Sequence, residues 1–132
     1  MQISARSALL YTLRMKKVRI YEYSKCSTCR KALSFLDSHK IPYDKVPIVD
    51  TPPTKPELMK MLALQGGNIK KLFNTSGELY REMKISSKID SMSESEAIEL
   101  LASNGKLIKR PFVLSGDTGL VGFKEDEWKK EL

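Results

Sequence analysis

Cys26 and Cys29 stand three residues apart in Lys25-Cys26-Ser27-Thr28-Cys29-Arg30-Lys31, and they are the only cysteines in the sequence. A short β-prone run, residues 18–23, ends just before them, and an amphipathic helical pattern begins just after. That order predicts Cys26 at a helix N-terminus, where unpaired backbone N–H groups carry a partial positive charge. Such charge stabilises a thiolate, and Lys25, Arg30 and Lys31 add to it. Cys26 then reads as a nucleophile near neutral pH, with Ser27 and Thr28 as hydrogen-bond donors to its sulfur. Residues three apart share a helix face, which places Cys29 to resolve a mixed disulfide formed at Cys26. The implied chemistry is thiol–disulfide exchange.

Plainer readings compete with this one. A tetrahedral zinc site needs four ligands, and beside the two cysteines the chain offers a single histidine, His39. A structural disulfide closing so short a loop would constrain the unfolded chain little. Burial of both cysteines as small apolar residues is the remaining alternative. His39, near the end of the expected helix, suits the helix dipole, and Trp128 reads as a packing residue. Ser24 and Thr28 suit turn and cap positions first.

At 132 residues the chain is long enough for one domain with a real core, and its 41% hydrophobic and 30% charged residues are ordinary for a soluble protein. No apolar run approaches the roughly 18 residues of a membrane span. The net charge of +7 favours anionic partners. No basic ladder interleaved with aromatics is present, so direct nucleic-acid binding is not expected. Residues 1–14 hold two arginines and no acid, which leaves +5 in residues 15–132. Residues 1–16 read as a flexible N-terminal extension and residues 17–132 as the domain. A thiol pair kept for chemistry fits a reducing compartment, so a cytoplasmic monomer is expected.

The elements that must position the thiols follow in order. Residues 18–23 read as a strand, residues 28–39 as a helix and residues 43–48 as a second strand, a βαβ unit. Thr54 and Glu57 form a capping box for a helix that ends near Gly66-Gly67. Residues 68–103 are helical in character but broken, with Ser93 and Glu96 opening the last helix and Ser103-Asn104-Gly105 closing it. Leu107-Ile108 and residues 112–114 read as strand on either side of Arg110-Pro111. A hairpin turn over residues 115–119 leads to a last strand, 120–123, and a terminal helix, 124–132, whose first-turn acids suit its dipole. The fold class is α/β, a four-stranded mixed sheet (βαβ then ββα) with a helical insertion at about 51–103. Cys-x-x-Cys beside a βαβ unit marks the thioredoxin-like class, in which Pro111 is the expected cis proline, close to the thiol.

Lys25-Cys26-Ser27-Thr28-Cys29-Arg30-Lys31-Ala32, Thr51-Pro52-Pro53, Leu107-Ile108-Lys109-Arg110-Pro111 and Val121-Gly122-Phe123 together resemble the arsenate reductase/Spx family across essentially all of residues 17–132. The resemblance implies a thioredoxin-like fold with a helical insertion. In its glutaredoxin-linked reductase branch, a cysteine at the position of Cys26 attacks arsenate and arginines hold the oxyanion. Arg110 matches one of these arginines; the other two fall at Asn74 and near Phe123, with Arg81 or Lys71 as candidate substitutes. No bound cofactor is implied, and electrons come from an external thiol, glutathione with glutaredoxin, or thioredoxin. In the Spx branch, Cys-x-x-Cys is a redox switch, and the partner is the RNA polymerase α C-terminal domain.

Overall fold

Val-Arg-Ile-Tyr-Glu supplies a β-prone run with side chains on alternating faces, and it forms the strand β1 (Val18–Glu22). The computed structural model that shows this describes residues 17–132; the expected N-terminal extension lies outside the described residues. β1 is joined by β2 (Tyr43–Pro47), β3 (Phe112–Ser115) and β4 (Thr118–Val121) in the order β2-β1-β3-β4. β2 runs parallel to β1, and β3 and β4 are antiparallel additions, so the sheet is mixed. Val18 pairs with Tyr43 on one side of β1, and Tyr21 with Phe112 on the other.

The pleat sorts the core into two layers. Val18 and Ile20, with Val113 and Leu120, pack against Ala32, Phe35 and Leu36 of α1 (Ser27–Ser38) and against Trp128 of α6 (Glu125–Glu131). Tyr21 and Phe112 face the other way, onto the helical segment between β2 and β3. Each large apolar side chain buried fully there contributes about 1.5–3 kcal/mol. That segment comprises α2 (Lys55–Leu64), α3 (Glu78–Glu82), α4 (Ile85–Lys88) and α5 (Glu94–Ser103), with 3-10 turns at Ile69–Leu72, Ile89–Ser91 and Gly105–Leu107. Among the described residues, no helix is long and apolar enough to cross a membrane.

Several elements differ from expectation for identifiable reasons. The hairpin turn contracts to Gly116-Asp117, because Ser115 already pairs with Thr118 and Gly116 takes the positive φ of 58° that a two-residue loop requires. The last strand stops at Val121, since Gly122 has φ 76° and leaves the ladder. Leu107-Ile108 is not a sheet strand. Ile108 makes an isolated antiparallel bridge with Phe73, the Lys109 N–H donates to the Leu72 carbonyl at 2.7 Å, and the Asn74 N–H donates to the Leu107 carbonyl at 2.8 Å. The segment therefore ties to residues 72–74 instead of the sheet. Gly105 does not end α5 by a left-handed turn; its Cα abuts the Ile48 carbonyl, and a Cβ there would collide with it.

The capping box of α2 is also a tie to the sheet. Glu57 Oε1 accepts the Thr54 N–H at 3.0 Å, the Thr54 hydroxyl at 3.1 Å and the Tyr21 hydroxyl at 2.8 Å, while Arg19 lies 3.5 Å from Oε2. Burial pushes the Glu57 carboxyl up, but the Thr54, Tyr21 and Arg19 contacts outweigh it and hold it below the usual carboxylate range. A depressed carboxyl contributes stability that is present above its unfolded pKa and lost as pH falls through the lower folded value. Glu57→Gln should therefore lower the urea-unfolding free energy by about 1 kcal/mol at pH 7. The gap between wild type and variant should close as the buffer is taken below about pH 4. A gap independent of pH would show that the carboxylate charge is not the stabilising element.

Candidate active site

The turn after β1 delivers Cys26 as the N-cap of α1. Its N–H donates to the Tyr23 carbonyl at 3.0 Å, and its sulfur accepts the backbone N–H of Cys29 at 3.4 Å. A cysteine thus occupies the position where serine, threonine or aspartate usually satisfies a free helix N–H. Cys26 is half-buried and Cys29 fully buried, and both are free thiols. Burial pushes the Cys26 thiol up, but the Cys29 N–H, the Cys29 side chain and the Arg110 guanidinium together hold it below the ordinary cysteine value. Burial dominates at Cys29, with the neighbouring Cys26 adding to it, and the thiol is pushed up to about 12. One helix turn therefore holds two thiols of opposite readiness.

Arg110 arrives from the loop before β3. Its guanidinium carbon sits 4.7 Å from the centre of the Tyr23 ring, and its Nη1 is buried without a hydrogen-bond partner. The Arg110–Pro111 peptide bond is cis, and the Pro111 carbonyl accepts the Gly122 N–H at 2.9 Å. That hydrogen bond brings the chain beyond β4 against the thiol loop. Together these segments enclose a cleft of about 360 Å³. Cys26, Thr28 and Arg110 line it beside the turn at Asn74, Ser76 and Gly77, and Lys109 with residues 121–124 closes the other wall.

The structure separates the remaining sequence candidates. Ser27 and Arg30 are exposed and outside the cleft lining; the donor found at the Cys26 sulfur is the Cys29 N–H, and Arg30 borders a shallower depression with Lys31 and Phe123. Pro111 is buried beside the cleft and does not line it. Asn74, where the resemblance puts one arginine, and Phe123, near which it puts another, do line it, whereas Arg81 and Lys71 are exposed and do not. His39 is engaged locally, with Nδ1 2.9 Å from the Phe35 carbonyl and its ring stacked on Phe35. Trp128 is buried and donates its indole N–H to the Gly122 carbonyl at 3.2 Å. Among the described residues there is no group of three or more His, Cys, Asp or Glu side chains that could hold a metal ion.

Sequence reasoning missed Lys109 and Lys124 as cleft residues. Lys109 precedes Arg110 directly, and in extended chain the two would point to opposite sides. Lys124 precedes a run of acids and reads as ordinary helix-start sequence. The only available signal for Lys109 was its place within the Leu107–Pro111 motif. Its side chain runs past Gly122, where a Cβ would stand 3.1 Å from the Lys109 Cε.

Comparison with known proteins agrees with this geometry. The ArsC family model matches residues 21–131. The uncharacterized protein YusI of Bacillus subtilis is 46% identical over 110 residues, covering 83% of this chain and 93% of YusI. The global transcriptional regulator Spx of Streptococcus agalactiae serotype V is 29% identical over 102 residues, covering 77% of this chain and 73% of Spx. A crystal structure of an ArsC family related protein from Bacteroides fragilis superposes with a TM-score of 0.84 at 48% identity, covering 90% of this chain and 99% of that one. With a thioredoxin-like mixed sheet, a cysteine at the head of its first helix and a family match across nearly all of its described length, this chain belongs to the ArsC family.

Proposed function

We propose that the protein is an arsenate reductase-like, thiol-dependent oxidoreductase in which Cys26 is the nucleophile and Cys29 the resolving thiol. The observation that carries this reading is the placement of the Cys26 sulfur at the cleft, held by the Cys29 N–H beside Arg110, with Cys29 buried one turn below. A thiolate is the attacking species, and the lowered Cys26 pKa raises its share relative to an ordinary cysteine.

Two electrons pass in two steps. The Cys26 thiolate attacks one sulfur of an oxidised substrate disulfide; a Cys26–S bond forms, the S–S bond breaks, and the departing thiolate leaves with the electron pair. Arg110 supports the negative charge as it moves between sulfurs. Formation of the mixed disulfide removes the Cys26 charge that helps to raise the Cys29 pKa. Cys29 then gives its proton to solvent, attacks the Cys26 sulfur and expels the second substrate thiolate. The protein ends as a Cys26–Cys29 disulfide, its electrons delivered to the substrate. An external thiol, glutathione with glutaredoxin, or thioredoxin, restores the dithiol, and such a cycle suits a reducing compartment such as the cytoplasm.

A second reading, a redox-sensing regulator that binds the RNA polymerase α C-terminal domain, is favoured by the Spx relative. Pull-down of that domain by reduced and by oxidised protein separates the two readings. Enrichment in one redox state supports the regulator; none in either state removes it.

Iodoacetamide alkylation should report Cys26 first, with a midpoint below the roughly 8.5 of a free cysteine, and Arg110→Met should move that midpoint upward. In Cys26→Ser, Cys29 should stay unreactive across the same pH range. Equal labelling of both single-cysteine variants at neutral pH would break the assignment of roles. For turnover, NADPH consumption in excess of that given by glutathione, glutathione reductase and glutaredoxin without the protein should proceed in wild type and vanish in Cys26→Ser, while Cys29→Ser should accumulate the mixed disulfide. Arsenate and a small disulfide are run as separate oxidants. Turnover of the first shows that Arg110 with Lys109 and Lys124 suffices for an oxyanion; turnover of the second alone confines the chemistry to sulfur. Excess consumption that survives Cys26→Ser overturns the mechanism.

A further inference from the structure

The cleft around Cys26 gathers more positive charge than thiol exchange itself uses. Lys109, Arg110 and Lys124 line it, and no carboxylate does. None of the three has an ion pair among the described residues, where the paired cations are Lys17, Arg19, Lys55, Lys70 and Lys129. The acid next to Lys124 in sequence, Glu125, is taken by Lys129 at 3.8 Å. Lys124 is exposed and also borders Glu125, Asp126, Glu127 and Glu131 in a neighbouring depression, but within the cleft lining the charges are all positive, and an incoming anion relieves their repulsion. Arg110 is stacked over Tyr23 and supports the Cys26 sulfur, with its Nη1 left without a hydrogen-bond partner. The two lysines have no such engagement. Lys109 is half-buried, with its side chain laid against Gly122, so its ammonium group is carried by a wall of the cleft instead of swinging freely in solvent.

Size and lining narrow the ligand. A volume of about 360 Å³ falls at the low end of the roughly 300–1,000 Å³ typical of small-molecule sites. A single tetrahedral oxyanion would leave most of that space unfilled. The neutral lining, Asn74, Ser76 and Phe123, offers amide, hydroxyl and ring surface suited to a carbon chain with polar substituents. We propose that the oxidised substrate is a small-molecule disulfide bearing carboxylates, and that Lys109 and Lys124 bind those carboxylates while Cys26 attacks the sulfur. The proposal rests on the thiol-exchange reading and names its substrate class and two specificity-determining residues. The attack forms a Cys26–S bond and releases one carboxylate-bearing thiolate; attack by Cys29 releases the second and closes the Cys26–Cys29 disulfide, which an external dithiol reduces. Lys109 and Lys124 exchange no proton or electron in either step.

The test uses the full chain, reduced, in the Cys29→Ser background so that each reaction stops at the mixed disulfide. Three aliphatic disulfides with different end groups are compared: 3,3′-dithiodipropionate (anionic), bis(2-hydroxyethyl) disulfide (neutral) and cystamine (cationic). Each rate is divided by that of free 1-thioglycerol, a neutral thiol that none of the three disulfides releases, which removes intrinsic reactivity. The normalised rate should be about tenfold higher for the anionic than for the neutral compound, with cystamine slowest. Adding Lys109→Met and Lys124→Met together should abolish that preference, bringing the anionic-to-neutral rate ratio to about one. A control with Lys55→Met and Lys88→Met, equal in charge and away from the cleft, should keep it. A neutral disulfide that reacts normally without any anionic preference, or a preference that survives loss of both cleft lysines, overturns the proposal and leaves the thiol-exchange reading standing. Failure of all three disulfides to react overturns that reading as well.

Discussion

The Cys26 sulfur has lost part of its water, and what replaces that water decides everything else at the site. A half-buried thiolate is unfavourable unless donors surround it. Here the donors are the first free N–H groups of α1, represented by the Cys29 N–H at 3.4 Å, and the guanidinium of Arg110. The relation is reciprocal. A helix that starts without a capping acceptor is destabilised, and an ionised sulfur accepts a hydrogen bond more strongly than a neutral thiol. The start of α1 and an ionised Cys26 sulfur therefore support each other, and oxidation of that sulfur would weaken the cap.

The rest of the fold holds that pairing in place. α1 is fixed to the sheet by Ala32, Phe35 and Leu36, and Phe35 in turn meets Phe123 and Trp128 edge-on, so the helix and the chain beyond β4 share one packed cluster. On the other face, the isolated Phe73–Ile108 bridge ties the helical segment to the loop that delivers Arg110, which brings Asn74 to the cleft. Gly105 pressed against the Ile48 carbonyl lets the chain pass from α5 under the end of β2. Three segments far apart in sequence thus meet at one sulfur, and the contacts that hold them are apolar packing and backbone hydrogen bonds distant from the thiol.

What was legible in the sequence is what short-range physics determines. The strand before Cys26, the helix after it, the Thr54–Glu57 box and the paired strands near the C-terminus all announce themselves within a few residues. Ser27 and Arg30 show where local reasoning falls short: Cys26 and Cys29 share one helix face, and residues 27 and 30, each one step on, share another that points to solvent. Leu107-Ile108 has strand propensity, but its partners are residues 72–74, a choice made by tertiary contact and invisible to propensity. Lys109 and Lys124 belong to the same class. Nothing in their neighbours signals a cleft, since their place there depends on how the loop before β3 meets the chain after β4.

That exchange of cations carries chemical meaning. A guanidinium grips an oxyanion through paired, directional hydrogen bonds, whereas an ammonium supplies charge on a flexible stem without a fixed fork. Asn74 lines the cleft where the resemblance implies one arginine, and Phe123 lies near where it implies another; lysines enter from positions 109 and 124. Among the described residues that line the cleft, Arg110 is the one guanidinium. Attack on a tetrahedral oxyanion depends on holding its oxygens in one orientation, and loses rate when they are held only by charge. Attack on a disulfide needs little such clamping, because the sulfur is polarisable and the departing thiolate carries its own charge. A single fork beside Cys26, with looser charge further out, fits the second demand better than the first.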